Sequence, residues 1–300
     1  MSAAIPPLRF QDIAVESIRL PGTEGQQVRT DLLRLDRIHP LISGNKWFKL
    51  EPYLQQATSD GKKRIITYGG AWSNHLLATA AACNLRKLSS LGMVRGEKPK
   101  APSPILKQAV ELGMELRFLN RVDFSRQPLP SDYDGDRDAI IPAGGWGEPG
   151  AAGASAILNH CPAERYTHIV CAVGTGTMLA GLLRSTVAGQ KIVGVPVLKG
   201  LRTLENDVRR LTPDPVACLQ ILSGYHGGGY ARHTPALIAY MNDLWKGSGI
   251  PTDFVYTAKL CQAVTDAIRK GIFTQSDRLL LIHSGGLSGN ASLPQGTLRW

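Results

Sequence analysis

Thr167-His168-Ile169-Val170-Cys171-Ala172-Val173-Gly174-Thr175-Gly176-Thr177 is the stretch that decides the fold. Its first seven residues form a largely apolar run of strand length, and the glycine turn behind them opens into a helical pattern reaching about Val187. A strand that turns through glycines into a helix is half of a βαβ unit. Such a turn offers backbone N–H groups and the positive end of a helix to an anion. The spacing therefore predicts a phosphate cradle, with a plain tight turn as the alternative. It is not a Walker loop, because no Gly-Lys-Ser/Thr follows, and a GxGxxG dinucleotide fingerprint would need glycine where Leu179 stands.

The same rhythm continues on both sides. Towards the N-terminus, apolar runs at 64–68, 88–94, 115–119 and 139–141 predict strands, while 73–85, capped by Ser73-Asn74, and 104–112 predict helices. Towards the C-terminus, 191–197 and 278–282 predict strands. There, 201–211, 233–245 and 258–270 predict helices, the last with an apolar stripe of Leu260, Cys261, Val264, Ala267 and Ile268. The Pro- and Asp-rich stretch 127–138 is the expected flexible loop. Alternating strands and helices imply an α/β protein with right-handed βαβ units and parallel sheets covered on both faces. Strand ends at 69–74, 144–147, 174–177 and 284–289 are rich in Gly or polar residues, and such folds bind ligands at the carboxyl ends of their strands.

Composition narrows the class. The 300 residues, 43% hydrophobic, suffice for one large or two modest domains, and 32 glycines fit many tight turns. The net charge of +10 is spread over short groups such as Lys62-Lys63-Arg64, Arg86-Lys87 and Arg209-Arg210. None is interleaved with aromatics, so solvated faces account for the charge and nucleic acid is not an expected partner. Five cysteines without a CxxC pair read as reduced thiols of a cytoplasmic protein with no disulfide or structural metal. Cys83, Cys171 and Cys261 lie in apolar runs, as small buried hydrophobes do. Residues 1–10 contain Pro6-Pro7 and no apolar leader core, and no 18-residue apolar span occurs, so neither a signal peptide nor a membrane helix is expected.

Three further segments carry chemistry. Ser43-Gly44-Asn45-Lys46-Trp47-Phe48 places Lys46 at a helix start beside two aromatics. The helix dipole disfavours a cation there and burial depresses a lysine pKa. A neutral amine able to form a Schiff base is one reading; a surface lysine with its stem along the helix is the other. In Gly69-Gly70-Ala71-Trp72-Ser73-Asn74-His75, the side chains of Ser73, Asn74 and His75 surround a helix N-terminus that is both a cap and a natural carboxylate site. Tyr230 follows Gly227-Gly228-Gly229 and Tyr256 opens the last predicted helix; either alone reads as structural.

Together these segments resemble one family, the aminocyclopropane-carboxylate deaminase and D-cysteine desulfhydrase group of pyridoxal-phosphate enzymes. The resemblance covers most of the chain and rests on GNKWFKLE at 44–51, GGAWSNH at 69–75, IPAGG at 141–145, GTGT at 174–177, VYTAK at 255–259 and HSGG at 283–286. It implies a tryptophan-synthase-β-like architecture, fold type II: two open twisted sheets flanked by helices. A large cofactor-binding domain of 1–47 plus 155–300 and a small domain of 48–154 come with it. The implied cofactor is pyridoxal 5'-phosphate, held by Lys46, which is also the proton-transfer base. Asn74 would bond the ring hydroxyl, and Gly174, Thr175, Gly176 and Thr177 the phosphate. Ser73, Asn74 and His75 would meet the substrate near its carboxylate, and Tyr230 and Tyr256 would flank it, so that Lys46, Ser73, Tyr230 and Tyr256 form the catalytic set. A small amino-acid substrate and a homodimer are implied as well.

Two positions choose within the group. The deaminases carry Glu after the second tyrosine and Leu after the final histidine, where this chain has Thr257 and Ser284. By resemblance these positions face the pyridine nitrogen. A carboxylate there keeps the ring protonated, whereas a hydroxyl leaves it neutral and a weaker electron sink, which suits loss of a good leaving group from Cβ. With His75 in place of the deaminases' Gln, the implied reaction is αβ-elimination, D-cysteine to pyruvate, sulfide and ammonia. Aminocyclopropane-carboxylate deamination and serine dehydratase or racemase activity are the enzymatic alternatives. A pyridoxal-phosphate carrier or amino-acid sensor is the non-enzymatic one. Ala258 departs from the family's Gly, and Trp72 and Trp146 are expected to reshape the pocket.

Overall fold

The computed structural model describes residues 5–200, 204–212 and 218–300. Its larger sheet has the spatial order β1 (Val15–Ser17), β2 (Arg29–Arg34), β10 (Arg278–His283), β7 (His168–Val173), β8 (Lys191–Pro196) and β9 (Leu219–Ile221). Only β1 runs antiparallel to its neighbour. The smaller sheet is fully parallel, in the order β5 (Met114–Leu119), β4 (Ser89–Arg95), β3 (Arg64–Gly70) and β6 (Asp138–Ile141). The helices are α1 (Asn45–Ser59), α2 (Asn74–Leu85), α3 (Pro104–Glu111), α4 (Arg121–Arg126), α5 (Glu148–Ser155), α6 (Thr177–Arg184), α7 (Leu204–Leu211), α8 (Pro235–Ser248) and α9 (Thr257–Arg269).

Helices cover both faces of the larger sheet, so its central strands are apolar on both sides. On β7, Ile169, Cys171 and Val173 enter a core shared with α5, α6 and α7, while Val170 and Ala172 enter one shared with α9. That alternation is the two-residue period of a strand. Each fully buried Val, Leu or Ile side chain contributes about 1.5–3 kcal/mol. Cys171 and Cys261 are buried in these cores and Cys83 in that of the smaller sheet, and burial pushes their thiols up to about 12. Among the described residues, no helix is long and apolar enough to cross a membrane.

Local chemistry sets the helix starts. Ser73 accepts the Leu76 N–H at 3.4 Å and Ser103 that of Leu106 at 3.2 Å. Thr234 accepts the Leu237 N–H at 3.2 Å with Pro235 in the first turn, so α8 starts two residues later than the apolar pattern suggests and runs on to Ser248. α6 stops at Arg184 instead of Val187: the Ser185 hydroxyl turns back to the Gly181 carbonyl, and the Arg184 guanidinium is held by the Leu211 carbonyl. Of the helix expected over 201–211, residues 201–203 lie outside the described residues. The loop 127–138 has no regular structure before Asp138, but it is not loose. Arg64 pairs with Asp132 at 2.9 Å and with Asp138 at 2.6 Å, and Arg117 also holds Asp132.

Candidate active site

The four glycine-rich strand ends converge on one cavity of about 340 Å³ between the carboxyl ends of the two sheets. Gly69 and Gly70 come from β3, Gly144 from the turn after β6, Gly174 and Gly176 from the turn after β7, and Ser284 from the end of β10. Lys46 enters from the first turn of α1. Before it, Gly44 stands at φ 65°, where a Cβ would come 1.9 Å from the Ser284 carbonyl oxygen, the acceptor of the Asn45 N–H at 3.3 Å. Only glycine lets the chain before Lys46 lie against the loop after β10, which makes these two motifs one wall. Lys46 Nζ donates to Asn45 Oδ1 at 3.0 Å and lies 5.7 Å from the centre of the Tyr256 ring. Burial pulls its pKa down to about 8, against the pull of Asp253.

One end of the cavity is built for an anion. The Gly174-Thr175-Gly176 turn leads into the N-terminus of α6, and the Thr175 and Thr177 hydroxyls are bonded to each other at 3.0 Å. Lys49, one helical turn beyond Lys46, is buried and donates to the Gly144 carbonyl. Burial, and then Lys46, holds its pKa well below the ordinary lysine value. Arg95, exposed at the end of β4, also lines the cavity and has no ion-pair partner among the described residues. Among the described residues no carboxylate lines it. Basic groups without an acid make a site that selects negative charge.

The start of α2 forms a second polar end. Asn74 Nδ2 donates to the Gly286 carbonyl at 3.3 Å, but its Oδ1 is buried without a partner. His75 Nε2 lies 2.8 Å from Thr67 Oγ1, whose one proton goes to the Ile141 carbonyl at 2.7 Å. The hydroxyl therefore accepts from Nε2–H, which leaves Nδ1 a bare, unpartnered lone pair. Burial, then Lys49 and Lys46, holds the His75 pKa well below its usual value and keeps the ring neutral.

The third side carries the tyrosines. Asp253, 0% exposed, accepts the N–H groups of Val255, Tyr256 and Thr257 at 3.0, 2.8 and 2.9 Å, which fixes the start of α9 and with it Tyr256. The Tyr256 and Tyr230 hydroxyls lie close enough to influence one another, and burial raises both pKa values. Thr177 and Thr257 are fully buried and do not line the cavity, whereas Ser284 does. Thr257 Oγ1 has no partner. The expected reshaping by two tryptophans does not occur: neither Trp72 nor Trp146 lines the cavity. Trp146 is held by its backbone, whose carbonyl accepts the Tyr53 hydroxyl at 2.6 Å, and its ring faces outward; Trp72 packs on the smaller sheet's core. Sequence reasoning passed over Lys49, Arg95 and Asp253, although the three-residue step from Lys46 to Lys49 places both amines on one helix face.

A cavity with an anion cradle, two lysines and unpartnered polar atoms is what the comparison with known families explains. The profile of the pyridoxal-phosphate-dependent enzymes matches residues 17–285. The chain belongs to that family. A Pyrococcus horikoshii protein with a provisional 1-aminocyclopropane-1-carboxylate deaminase name is 28% identical over 268 residues, 83% of this chain and 81% of its own. The mitochondrial bifunctional D-cysteine desulfhydrase/1-aminocyclopropane-1-carboxylate deaminase of Arabidopsis thaliana is 27% identical, over 89% of this chain and 73% of its own. A solved ACC deaminase homologue shares the fold with a TM-score of 0.78 at 24% identity, covering 96% of this chain and 94% of that one.

This pyridoxal-phosphate-dependent enzyme fits its cofactor on the chemistry of its own residues. The glycine turn with Lys49 suits a phosphate, and the unpartnered Asn74 Oδ1 and Thr257 Oγ1 would suit the roles of acceptor for a ring hydroxyl and donor to a ring nitrogen. Thr257→Val gives a two-sided test. Removing an unsatisfied buried hydroxyl is expected to stabilise the cofactor-free protein by about 1–3 kcal/mol. If that hydroxyl meets the cofactor, affinity for pyridoxal phosphate falls about tenfold or more at the same time. Melting with and without cofactor reads both signs, and unchanged affinity would remove Thr257 from the site.

Proposed function

We propose that the enzyme carries out αβ-elimination on a small amino acid with a β-leaving group, D-cysteine first. D-cysteine and one water give pyruvate, ammonia and hydrogen sulfide. The observation that carries this reading is a cavity wall that, among the described residues, has no carboxylate, with the Ser284 hydroxyl on it and the Thr257 hydroxyl buried and unpartnered away from it. Bound pyridoxal phosphate supplies an electron sink for the bonds at Cα, and a neutral partner at its ring nitrogen favours prompt loss of the β-substituent. Lys46 would hold the cofactor and move the Cα proton, as its pKa of about 8 suits. The Ser73 hydroxyl and the backbone N–H groups of Asn74 and His75, in the first turn of α2, would bind the carboxylate; the His75 ring, whose N–H is committed to Thr67 and whose free Nδ1 is an acceptor, would not. The Tyr256 hydroxyl, kept neutral by burial and placed near that of Tyr230, would give its proton to the departing sulfur.

Ring opening of aminocyclopropane-carboxylate is the second reading, favoured by the names of the relatives. A domain division of 1–47 plus 155–300 against 48–154 is supported by sheet membership, since the smaller sheet draws only on residues 64–141. A homodimer and a cytoplasmic location remain part of the proposal. A panel of D- and L-amino acids assayed for pyruvate and ammonia tests it. β-Chloro-D-alanine and D-cysteine are expected to turn over, with sulfide from the second. Turnover of aminocyclopropane-carboxylate at a comparable rate would place the enzyme on the deaminase side.

A further inference from the structure

We propose that Lys259 is a positioning residue that clamps the glycine-rich turn 226–229 and so holds Tyr230 over the cavity. Nothing in the chemistry above uses this lysine. It lies on α9, 1% exposed, where an apolar side chain would pack at far lower cost than an ammonium. Its Nζ donates to the His226 carbonyl at 2.9 Å and to the Gly229 carbonyl at 3.2 Å. Among the described residues no carboxylate pairs with it directly, so its specific contacts go to the turn.

The turn needs an outside restraint. Gly227, Gly228 and Gly229 have φ of 59°, 96° and 136°, and Ala231 has φ 52°, which costs a residue with a Cβ. Tyr230 sits between these left-handed residues. It is 47% exposed, yet it lines the cavity together with Tyr256. Few packing contacts can fix a residue so placed; two hydrogen bonds from a buried cation to the turn before it can. Gly227 lies against the lysine stem, since a Cβ there would stand in ordinary contact, 3.4 Å from Lys259 Cε. Asp253 and Lys259 thus divide one task across α9. The carboxylate sets Tyr256 through its backbone, and the ammonium sets Tyr230 through its turn.

The inference rests on the reading of the cavity as an amino-acid site, and its test separates the two. Lys259→Met keeps a straight apolar stem and removes the donors. In the cofactor-loaded enzyme, amide exchange over 226–232 is expected to lose protection while the sheet cores keep theirs. With β-chloro-D-alanine, misplacing Tyr230 is expected to lower kcat/KM by about 10²-fold. A clamp that acts through Tyr230 also makes the losses non-additive, so Lys259→Met in a Tyr230→Phe background should cost little more than Tyr230→Phe alone. Should Met prevent folding, Lys259→Gln, with a neutral amide on a shorter stem, takes its place in the same cycle. Unchanged protection at 226–232, or losses that multiply, would overturn the clamp. Lost protection in an enzyme that turns over no member of the panel would sustain the clamp and sink the proposed substrate.

Discussion

Lys46→Ala is expected to yield a folded, colourless protein whose elimination activity falls by at least about 10⁴. The change touches little of the fold. Lys46 is half-buried on the cavity wall, and its contacts are one bond to the neighbouring Asn45 side chain and the approach to the Tyr256 ring. It removes the one amine that lines the cavity free of a backbone acceptor, because Lys49 is committed to the Gly144 carbonyl. In the unaltered chain, cofactor uptake should speed up as pH rises through about 8, the value to which burial lowers Lys46, and level off above it. The sign follows from the neutral amine being the nucleophile. An unperturbed lysine would place that rise more than two units higher, near 10.4. A yellow Lys46→Ala protein with wild-type spectrum would move the attachment elsewhere.

Tyr256→Phe is expected to cost roughly 10²–10⁴ in turnover while melting temperature and cofactor absorbance stay put. The ring is retained, and the ring is what packs: it fills the space over Gly174, where a Cβ would lie 3.3 Å from its Cε1, and joins the apolar cores beside α9. Only the hydroxyl and its approach to Tyr230 are lost. The backbone at 256 stays fixed by Asp253. Turnover near wild type would make Tyr256 a packing residue and leave the leaving group's proton without a source on this wall.

Much of the site was legible because strand ends announce themselves locally. A run of buried residues followed by Gly-Thr-Gly or Gly-Gly fixes both a strand and the place where its backbone is bare, and all four such ends meet at one cavity. The larger sheet's outer strands were not legible. Arg29–Arg34 mixes charge with Leu, and only the fold shows why: Arg34 is matched by Glu16 and Asp36, and Asp31 by the Tyr166 hydroxyl. The burial of Asp253 and Lys259 had no signal in the sequence, since periodicity carries no information on what a distant loop presents. The tryptophans misled for the same reason: size near a motif says nothing about direction. Thr257 stands between these cases, buried and unpartnered as a ring-nitrogen partner would be, yet away from the cavity wall on which Ser284 stands.

The attachment itself gives the most direct measurement. Borohydride reduction of the yellow protein fixes the cofactor to whichever lysine holds it, and peptide mass mapping then reads the position. The pyridoxyl mass is expected on Lys46 alone. The same mass on Lys49 or Lys259, or a coloured protein that carries no label after reduction, would contradict the account.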